Sequence, residues 1–594
     1  MTETKKLGVH EEHDIEKSFD LKIMKKLSGF TKPYMKYLIL CALLLITVTM
    51  VDLVKPYLIK VVIDDHIKNM NKAGIFNLTM IYLGLVIAGF FITYVQMLLL
   101  NWVSQKLVYD MRAHLFDHLL KLPLSFYDKN PVGRLVTRVT NDMKNISDMY
   151  TDVLINLLND VLLLIGTLVI MLTLNWKLAL ISLCTFPLVA LSAYWFRIKA
   201  REAHRSVKAK IARINAVLSE NISGMRMIQL FNREKEVYDE FDEINADHLK
   251  SSMKEIQVFG TFRPSMNLIY TLALTLLIWY AGGKVLQGSI QLGMLFAFIN
   301  YTDQFFKPIF DLSEKFNILQ SAMASSERVF MLLEENEHEA AGEVALDKAE
   351  VTGRIQFKDV CFEYLEGEPV LKNINLDIEA GETVAIVGAT GSGKTTVISL
   401  LSGLYPLKTG DILIDGHSVT SLRKSDLRKL IGVVLQDVFL FAGQIKDNIS
   451  LGDEGISDQN VIDTATFVNA HTFIEKLPNQ YDETVYERGT TLSTGQRQLL
   501  SFARALAYDP KILILDEATS SIDTETEHLI QDAIGKLTQN RTTIIIAHRL
   551  STIKDADKIV VLHKGEVREV GSHDVLMARG GLYYDLYRLQ YQEV

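Results

Sequence analysis

Six apolar stretches constrain the fold of this chain more than any other feature: Tyr37 to Val62, Leu78 to Val103, Val153 to Leu174, Leu178 to Phe196, Leu268 to Leu286 and Leu292 to Ile309. Crossing the hydrocarbon core of a bilayer takes about 20 helical residues, so the pattern predicts six membrane-spanning helices. The links between them differ in kind. Those at 63–77, at Asn175 to Lys177 and at 287–291 are short, whereas 104–152 and 197–261 are long and carry Lys106, Arg112, Lys121, Arg134, Arg138, Arg201, Arg205, Lys208, Lys210 and Arg213. Lys and Arg favour the cytoplasmic side, which places both long loops and both termini inside. Helical periodicity persists through the long loops, so the helices are expected to run on into the cytoplasm and turn back there.

A chain of 594 residues is too long for one core, and its composition changes near residue 354 from membrane type to ordinary soluble patterning. The expected division is a cytoplasmic lead over 1–33, a transmembrane domain over 34–325, a linker over 326–353 and a soluble domain over 354–594. The lead is charged and shows no signal-peptide core, while Phe19 to Lys36 alternates apolar and basic residues as an interfacial helix does; a solvated leader fits as well. A formal net charge of −9 leaves no basic footprint for nucleic acid. Cys41, Cys184 and Cys361 lie far apart, show no metal spacing and read as free thiols.

In the soluble half, the apolar run Val384 to Val387 breaks into Gly388-Ala389-Thr390-Gly391-Ser392-Gly393-Lys394-Thr395-Thr396 and then into a helical pattern. This fits the G-x-x-x-x-G-K-[ST] phosphate loop. Its glycines let backbone N–H groups converge on phosphate oxygens, and the helix that follows adds its positive end. In such a loop Lys394 reaches the β and γ phosphates and Thr395 ligates Mg²⁺. Tyr364 stands ahead of the loop; after it come Gln436, Leu492-Ser493-Thr494-Gly495-Gln496, the strand Ile512 to Leu515 ending in Asp516-Glu517, then Ser521 and Asp523, and His548 after Ile544 to Ala547.

These seven elements, in this order within one domain, resemble the nucleotide-binding domain of ABC transporters. Ser125-Phe126-Tyr127-Asp128 with Gly133, Arg138 and Asp142, and Glu220 with Gly224, Phe231 and Glu234, are similar to the intracellular loops of ABC exporters in which one transmembrane domain is fused to one nucleotide domain. The resemblance implies a six-helix all-α membrane domain followed by an α/β P-loop ATPase domain, ATP and Mg²⁺ as ligands, and a half-transporter that must pair. It assigns adenine stacking to Tyr364, Mg²⁺ or water contact to Gln436, Mg²⁺ to Thr395 and Asp516, the general base to Glu517, the γ-phosphate to His548 and the D-loop to Ser521 and Asp523. The signature, Leu492 to Gln496, would cap ATP held by the partner.

The usual signature is L-S-G-G-Q, and here Thr494 takes the third place. A β-branched side chain restricts the backbone and crowds the approach to phosphate. An intact Walker B glutamate beside an altered signature is similar to one subunit of the heterodimeric bacterial multidrug exporters. The expectation is therefore an ATP-driven exporter of hydrophobic or cationic small molecules in a bacterial plasma membrane. Its partner would be a different half-transporter with an intact signature; a homodimer in which Thr494 is tolerated is the other reading. A lipid flippase, a peptide exporter and an ATP-gated sensor or pore are the rival functions. For a substrate path, Asp160, Trp279, Tyr301 and Phe305 are the candidates among polar, aromatic and Met residues of the spans. Such aromatics also pack helices or face lipid, and Asp52 and Lys307 fall near span ends, where snorkelling suffices.

Overall fold

A computed structural model describes residues 21–335, 342–516, 524–546 and 553–591. The chain separates into two compact units, one of Met1–Leu120 and Pro131–Asn336, the other of Lys121–Asn130 and Glu337–Val594.

The first unit is helical because its backbone groups have no water to bond in hydrocarbon and must be satisfied within each segment. Its six long helices are Met35–Val61, Lys72–Leu120, Ile155–Leu183, Phe186–Ser223, Glu234–Leu286 and Leu292–Leu333. The fifth has 53 residues; at 1.5 Å per residue it is about 80 Å long, well over twice the hydrocarbon thickness. Among the described residues four helical runs are long and apolar enough to span a membrane: Lys22–Ile67, Lys72–Leu120, Val132–Leu183 and Glu234–Leu286. The other two stretches fall short for identifiable reasons. Asn300, Asp303, Gln304 and Lys307 dilute the sixth, and the fourth is broken by a turn at Cys184 and Thr185, after which Phe186–Ser223 begins with Pro187 in its first turn.

The link at Asn175 to Lys177 is tighter than a loop. Asn175 alone leaves the helix, with φ −161° and ψ 102°, and its Oδ1 accepts from the N–H of Lys177 and of Leu178 at 3.1 and 3.2 Å. Its side chain thus caps the helix that resumes after it. Ahead of the first span, Leu21–Thr31 buries Ile23 and Leu27, and Phe30 packs against His114 and Phe330 of the second and sixth long helices. All three cysteines are free.

The second unit is built on a six-stranded sheet. Its strands are β3 (Thr383–Val387), β6 (Ile431–Val434), β9 (Ile512–Asp516), β10 (Thr542–Ile546), β11 (Lys558–His563) and β12 (Glu566–Gly571), in the order β12-β11-β3-β10-β9-β6. All neighbours are parallel except β11 and β12. Side chains alternate between faces along a strand, and here both faces are covered. Val384, Ile386, Ile512, Ile514, Ile544 and Ile546 enter one core, shared with the antiparallel sheet of β1 (Ile355–Glu363), β2 (Pro369–Ile378), β4 (Thr409–Ile414) and β5 (His417–Ser418); β7 (Gly443–Gln444) and β8 (Thr484–Val485) pair as a separate antiparallel ribbon. Ala385, Val387, Leu513, Leu515 and Ile545 enter the other, with helices Thr494–Ala507 and Thr524–Leu537. That double burial is why these strands read as continuous apolar runs.

Candidate nucleotide site

Because β3, β6, β9 and β10 are parallel, their carboxyl ends lie on one edge of the sheet, where ligands of open α/β sheets bind. The register aligns Ile386 with Ile546 and Ile546 with Asp516. The turn after β3, Asp516 at the end of β9 and Gln436 shortly after β6 therefore lead off the same edge.

The turn after β3 requires glycine at two positions. A Cβ on Gly388 would lie 2.2 Å from the Leu562 carbonyl oxygen, and Gly393, with φ +102°, would place one 2.5 Å from Leu371 Cδ2. Helix Lys394–Leu401 starts directly after Gly393, so its unsatisfied N–H groups and positive dipole end face the turn. Lys394 is 6% exposed, and its Nζ donates to the carbonyls of Gly388 and Ala389 at 2.7 and 3.1 Å. Ser392 is buried and its Oγ has no hydrogen-bond partner among the described residues. An orphaned buried hydroxyl beside a folded-back ammonium is the environment that a polyanion with several acceptor oxygens fits. Thr395 is exposed and Asp516 is buried at the strand end.

Tyr364 is 44% exposed. Its hydroxyl lies 3.2 Å from Thr396 Oγ1, and its ring stands edge-on to Tyr405 at 5.1 Å and to Phe362 at 4.9 Å. An exposed π-face fixed against the phosphate-loop helix suits a purine. Tyr405 is a residue that sequence reasoning missed. Its hydroxyl hydrogen-bonds the Asp128 carboxylate of helix Leu124–Lys129, and burial together with that carboxylate pushes the phenol up from its ordinary value. No local signal in the sequence joins Asp128 to Tyr405.

The signature stretch is a helix start. Ser493 caps helix Thr494–Ala507: its Oγ accepts from the Gln496 N–H at 3.2 Å, and Gln496 Oε1 accepts from the Ser493 N–H at 2.9 Å, a reciprocal capping box. Thr494 occupies the first helical position and is not among the residues with positive φ. Its backbone therefore carries no left-handed strain, and its β-branched side chain is exposed, with Oγ1 accepting from Arg497 Nη2 at 3.2 Å. Leu492 and Gly495 are buried, Gln436 is exposed, and Glu517, Ser521, Asp523 and His548 lie outside the described residues.

Of the four candidates for a substrate path, Tyr301 and Phe305 lie one turn apart on the helix Leu292–Leu333. Trp279 is 79% exposed. Tyr301 is fully buried in an apolar cluster and donates its hydroxyl to the Leu53 carbonyl at 2.8 Å, which makes it an interhelical anchor. Phe305 packs on Phe186 and Phe306, and Asp160 pairs with Lys315. Asp52 pairs with Lys55 three residues on.

The comparisons with known proteins agree with this architecture. The family model for the ABC transporter transmembrane region matches residues 38–309, and that for the ABC transporter matches 371–520. A Bacillus subtilis protein named "Probable multidrug resistance ABC transporter ATP-binding/permease protein YheH" is 42% identical over 87% of this chain and 77% of its own length. The ABC transporter ATP-binding protein YknV of the same organism is 39% identical over 100% of this chain and 99% of its own. The ATP-dependent lipid A-core flippase of Syntrophus aciditrophicus is 36% identical over 92% and 90%. Apolar spans, a phosphate-loop ATPase domain on the same polypeptide and these full-length relatives lead to one conclusion: this chain belongs to the ABC transporters, as a multi-pass membrane half-transporter with a cytoplasmic ATP-hydrolysing domain.

Proposed function

We propose that this chain exports hydrophobic or cationic amphiphiles, multidrug fashion, as one half of a heterodimer whose active ATP site is built on its own phosphate loop. Bound ATP with Mg²⁺ supplies the phosphoanhydride whose hydrolysis resets the transporter. Lys394 would exchange the Gly388 and Ala389 carbonyls for phosphate oxygens, and Ser392, whose hydroxyl has no partner among the described residues, would donate to the same oxygens. Thr395, Gln436 and Asp516 would hold the metal, Tyr364 would carry the adenine, Glu517 would accept the proton of the attacking water and His548 would orient it. Phosphoryl transfer needs this positioning and charge stabilisation rather than covalent chemistry.

The observation that carries the heterodimer reading is Thr494, whose side chain stands at the helix start that would face the partner's nucleotide. It occupies space that glycine leaves open for the γ-phosphate, so a partner with an intact signature completes the better site. Relatives named for multidrug resistance support the substrate class. The relative named as a lipid A-core flippase supports a second reading, a lipid substrate.

Inside-out vesicles holding this chain and a co-expressed half-transporter should accumulate a cationic dye against its gradient when given ATP. Glu517→Gln should bind ATP yet abolish accumulation. Downhill equilibration alone, or accumulation of labelled lipid but not dye, would overturn the multidrug reading.

A further inference from the structure

Two carboxylates on the polypeptide run through the third span are paired with the sixth long helix in contrasting ways. Asp142 is saturated: its Oδ2 accepts from Arg328 Nε at 3.0 Å, and its Oδ1 accepts from Arg328 Nη2 at 2.5 Å and from Ser325 Oγ at 2.8 Å. A bidentate, fully bonded pair of this kind clamps two helices. Asp160 uses one carboxylate oxygen among the described residues. Its Oδ2 takes the Lys315 ammonium, and among the described residues its Oδ1 accepts no hydrogen bond.

Asp160 lies inside the apolar stretch Val153 to Leu174, and its side chain is 12% exposed against 13% for Lys315. Ionisable groups at this depth are costly and mark function when they face inward. The two partners also differ in freedom. Asp160 is a short side chain on a helix fixed to the first long helix by the Thr49 hydroxyl, which donates to Asn159 Oδ1 at 2.9 Å. Lys315 carries its charge on a flexible four-carbon stem and follows Ile309, the end of the last apolar stretch, so it can swing to the interface. The arrangement is a fixed carboxylate with a removable counter-ion.

We propose that Asp160 is the cation-recognition site of the membrane domain, at which the positive group of a lipophilic cation replaces the Lys315 ammonium. This rests on the reading of the chain as an exporter of amphiphiles. Lys315 keeps the carboxylate paired between substrates, because a buried charge without a partner is strongly disfavoured. Selection then follows charge at constant shape: cations gain the carboxylate, neutral isosteres do not use it, and anions meet repulsion.

Three probes of one shape test this: tetraphenylphosphonium, tetraphenylsilane and tetraphenylborate, each titrated against ATPase activity of the co-purified dimer in nanodiscs, with labelled tetraphenylphosphonium binding read by equilibrium dialysis. Asp160→Asn should raise the half-saturating concentration of tetraphenylphosphonium at least about tenfold and leave the tetraphenylsilane response in place, which also shows that the variant is folded. Lys315→Met, which removes the competing cation, should lower the tetraphenylphosphonium value. If both variants weaken all three probes alike and the exchange Asp160→Lys with Lys315→Asp restores them, the pair is only a clamp and the proposal falls. It falls equally if Asp160→Asn leaves tetraphenylphosphonium binding unchanged, if Lys315→Met abolishes only the tetraphenylborate response, or if the native dimer binds no tetraphenylphosphonium. Asp160-dependent binding without ATPase stimulation would support the site and overturn the multidrug reading alone.

Discussion

Arg504, on the helix that starts at the signature, braces the segment that follows Gln436. Its Nε donates to the Asn448 carbonyl at 2.7 Å, its Nη1 to the Phe439 carbonyl at 3.0 Å and its Nη2 to Asn448 Oδ1 at 3.3 Å. Asn448, 1% exposed, in turn accepts from the Phe441 N–H and donates to the Phe441 carbonyl, both at 2.8 Å. Burial holds the Arg504 guanidinium below its ordinary value, the mark of a charge placed for its bonds. Arg504→Met keeps the aliphatic stem and orphans two backbone carbonyls. Each buried orphan costs about 1–3 kcal/mol. The Phe439 end is solvent-accessible and regains water, so the loss should be about 2–3 kcal/mol. For a domain of this size that lowers a thermal midpoint by about 5–10 °C. ATP binding should persist, since Lys394 and Tyr364 are untouched. Turnover should fall about tenfold, equivalent to about 1.4 kcal/mol of lost positioning of the Gln436 segment. Differential scanning fluorimetry and steady-state ATPase of the purified dimer measure both, and a native midpoint together with a native turnover number would refute the brace.

Three further outcomes follow from the same geometry. Gly388→Ala forces a Cβ to within 2.2 Å of the Leu562 oxygen, so photolabelling with azido-ATP should be lost; labelling at the native level would contradict the packing of the turn. Asp415 accepts from the N–H groups of Thr352, Gly353 and Arg354 and from the Thr352 hydroxyl. Although burial opposes it, these bonds hold its carboxyl below the usual carboxylate range. A depressed folded pKa gives stability that is present above the unfolded value, about 3.9, and lost as pH falls through the folded value. Unfolding titrations of Asp415→Asn should accordingly lie below the native curve at neutral pH and converge with it in acid; parallel curves would refute the assignment. In the co-purified pair, Thr494→Gly should raise hydrolysis at the second site while leaving the first intact, measured by trapping nucleotide with vanadate. An unchanged stoichiometry of trapping would remove the argument from Thr494.

What the sequence made legible was what is local. The phosphate loop announces itself because Gly388 and Gly393 are positions where a side chain collides, and Asp516 because a doubly buried strand has to end in its first polar residue. The apolar runs located most of the membrane helices by length, but neither their ends nor the break inside Leu178 to Phe196. Breaks set by one side chain were harder to read: Asn175 looked like a loop of three residues, yet one extended residue suffices because its own amide oxygen caps the next helix. The turn at Cys184 and Thr185 had Pro187 as its only signal, and a proline in the first turn of a helix is easily taken for one inside a span. Pairings across distance had no signal. Asp160 with Lys315, Tyr405 with Asp128 and Arg504 with Asn448 join residues that nothing local connects. The aromatic residues of the last spans suit packing as well as a cavity, and the partner of the Tyr301 hydroxyl, the Leu53 carbonyl, had no signal in the sequence.

Whether this half-transporter forms its working ATP site only with a different partner is decided by steady-state ATPase activity in lipid nanodiscs. The chain is assayed alone and co-expressed with a half-transporter carrying an intact signature, with and without a cationic dye. The chain alone should show little turnover, and the pair should show dye-stimulated turnover. Full, dye-stimulated activity from the chain alone would contradict this and make Thr494 a tolerated departure in a homodimer.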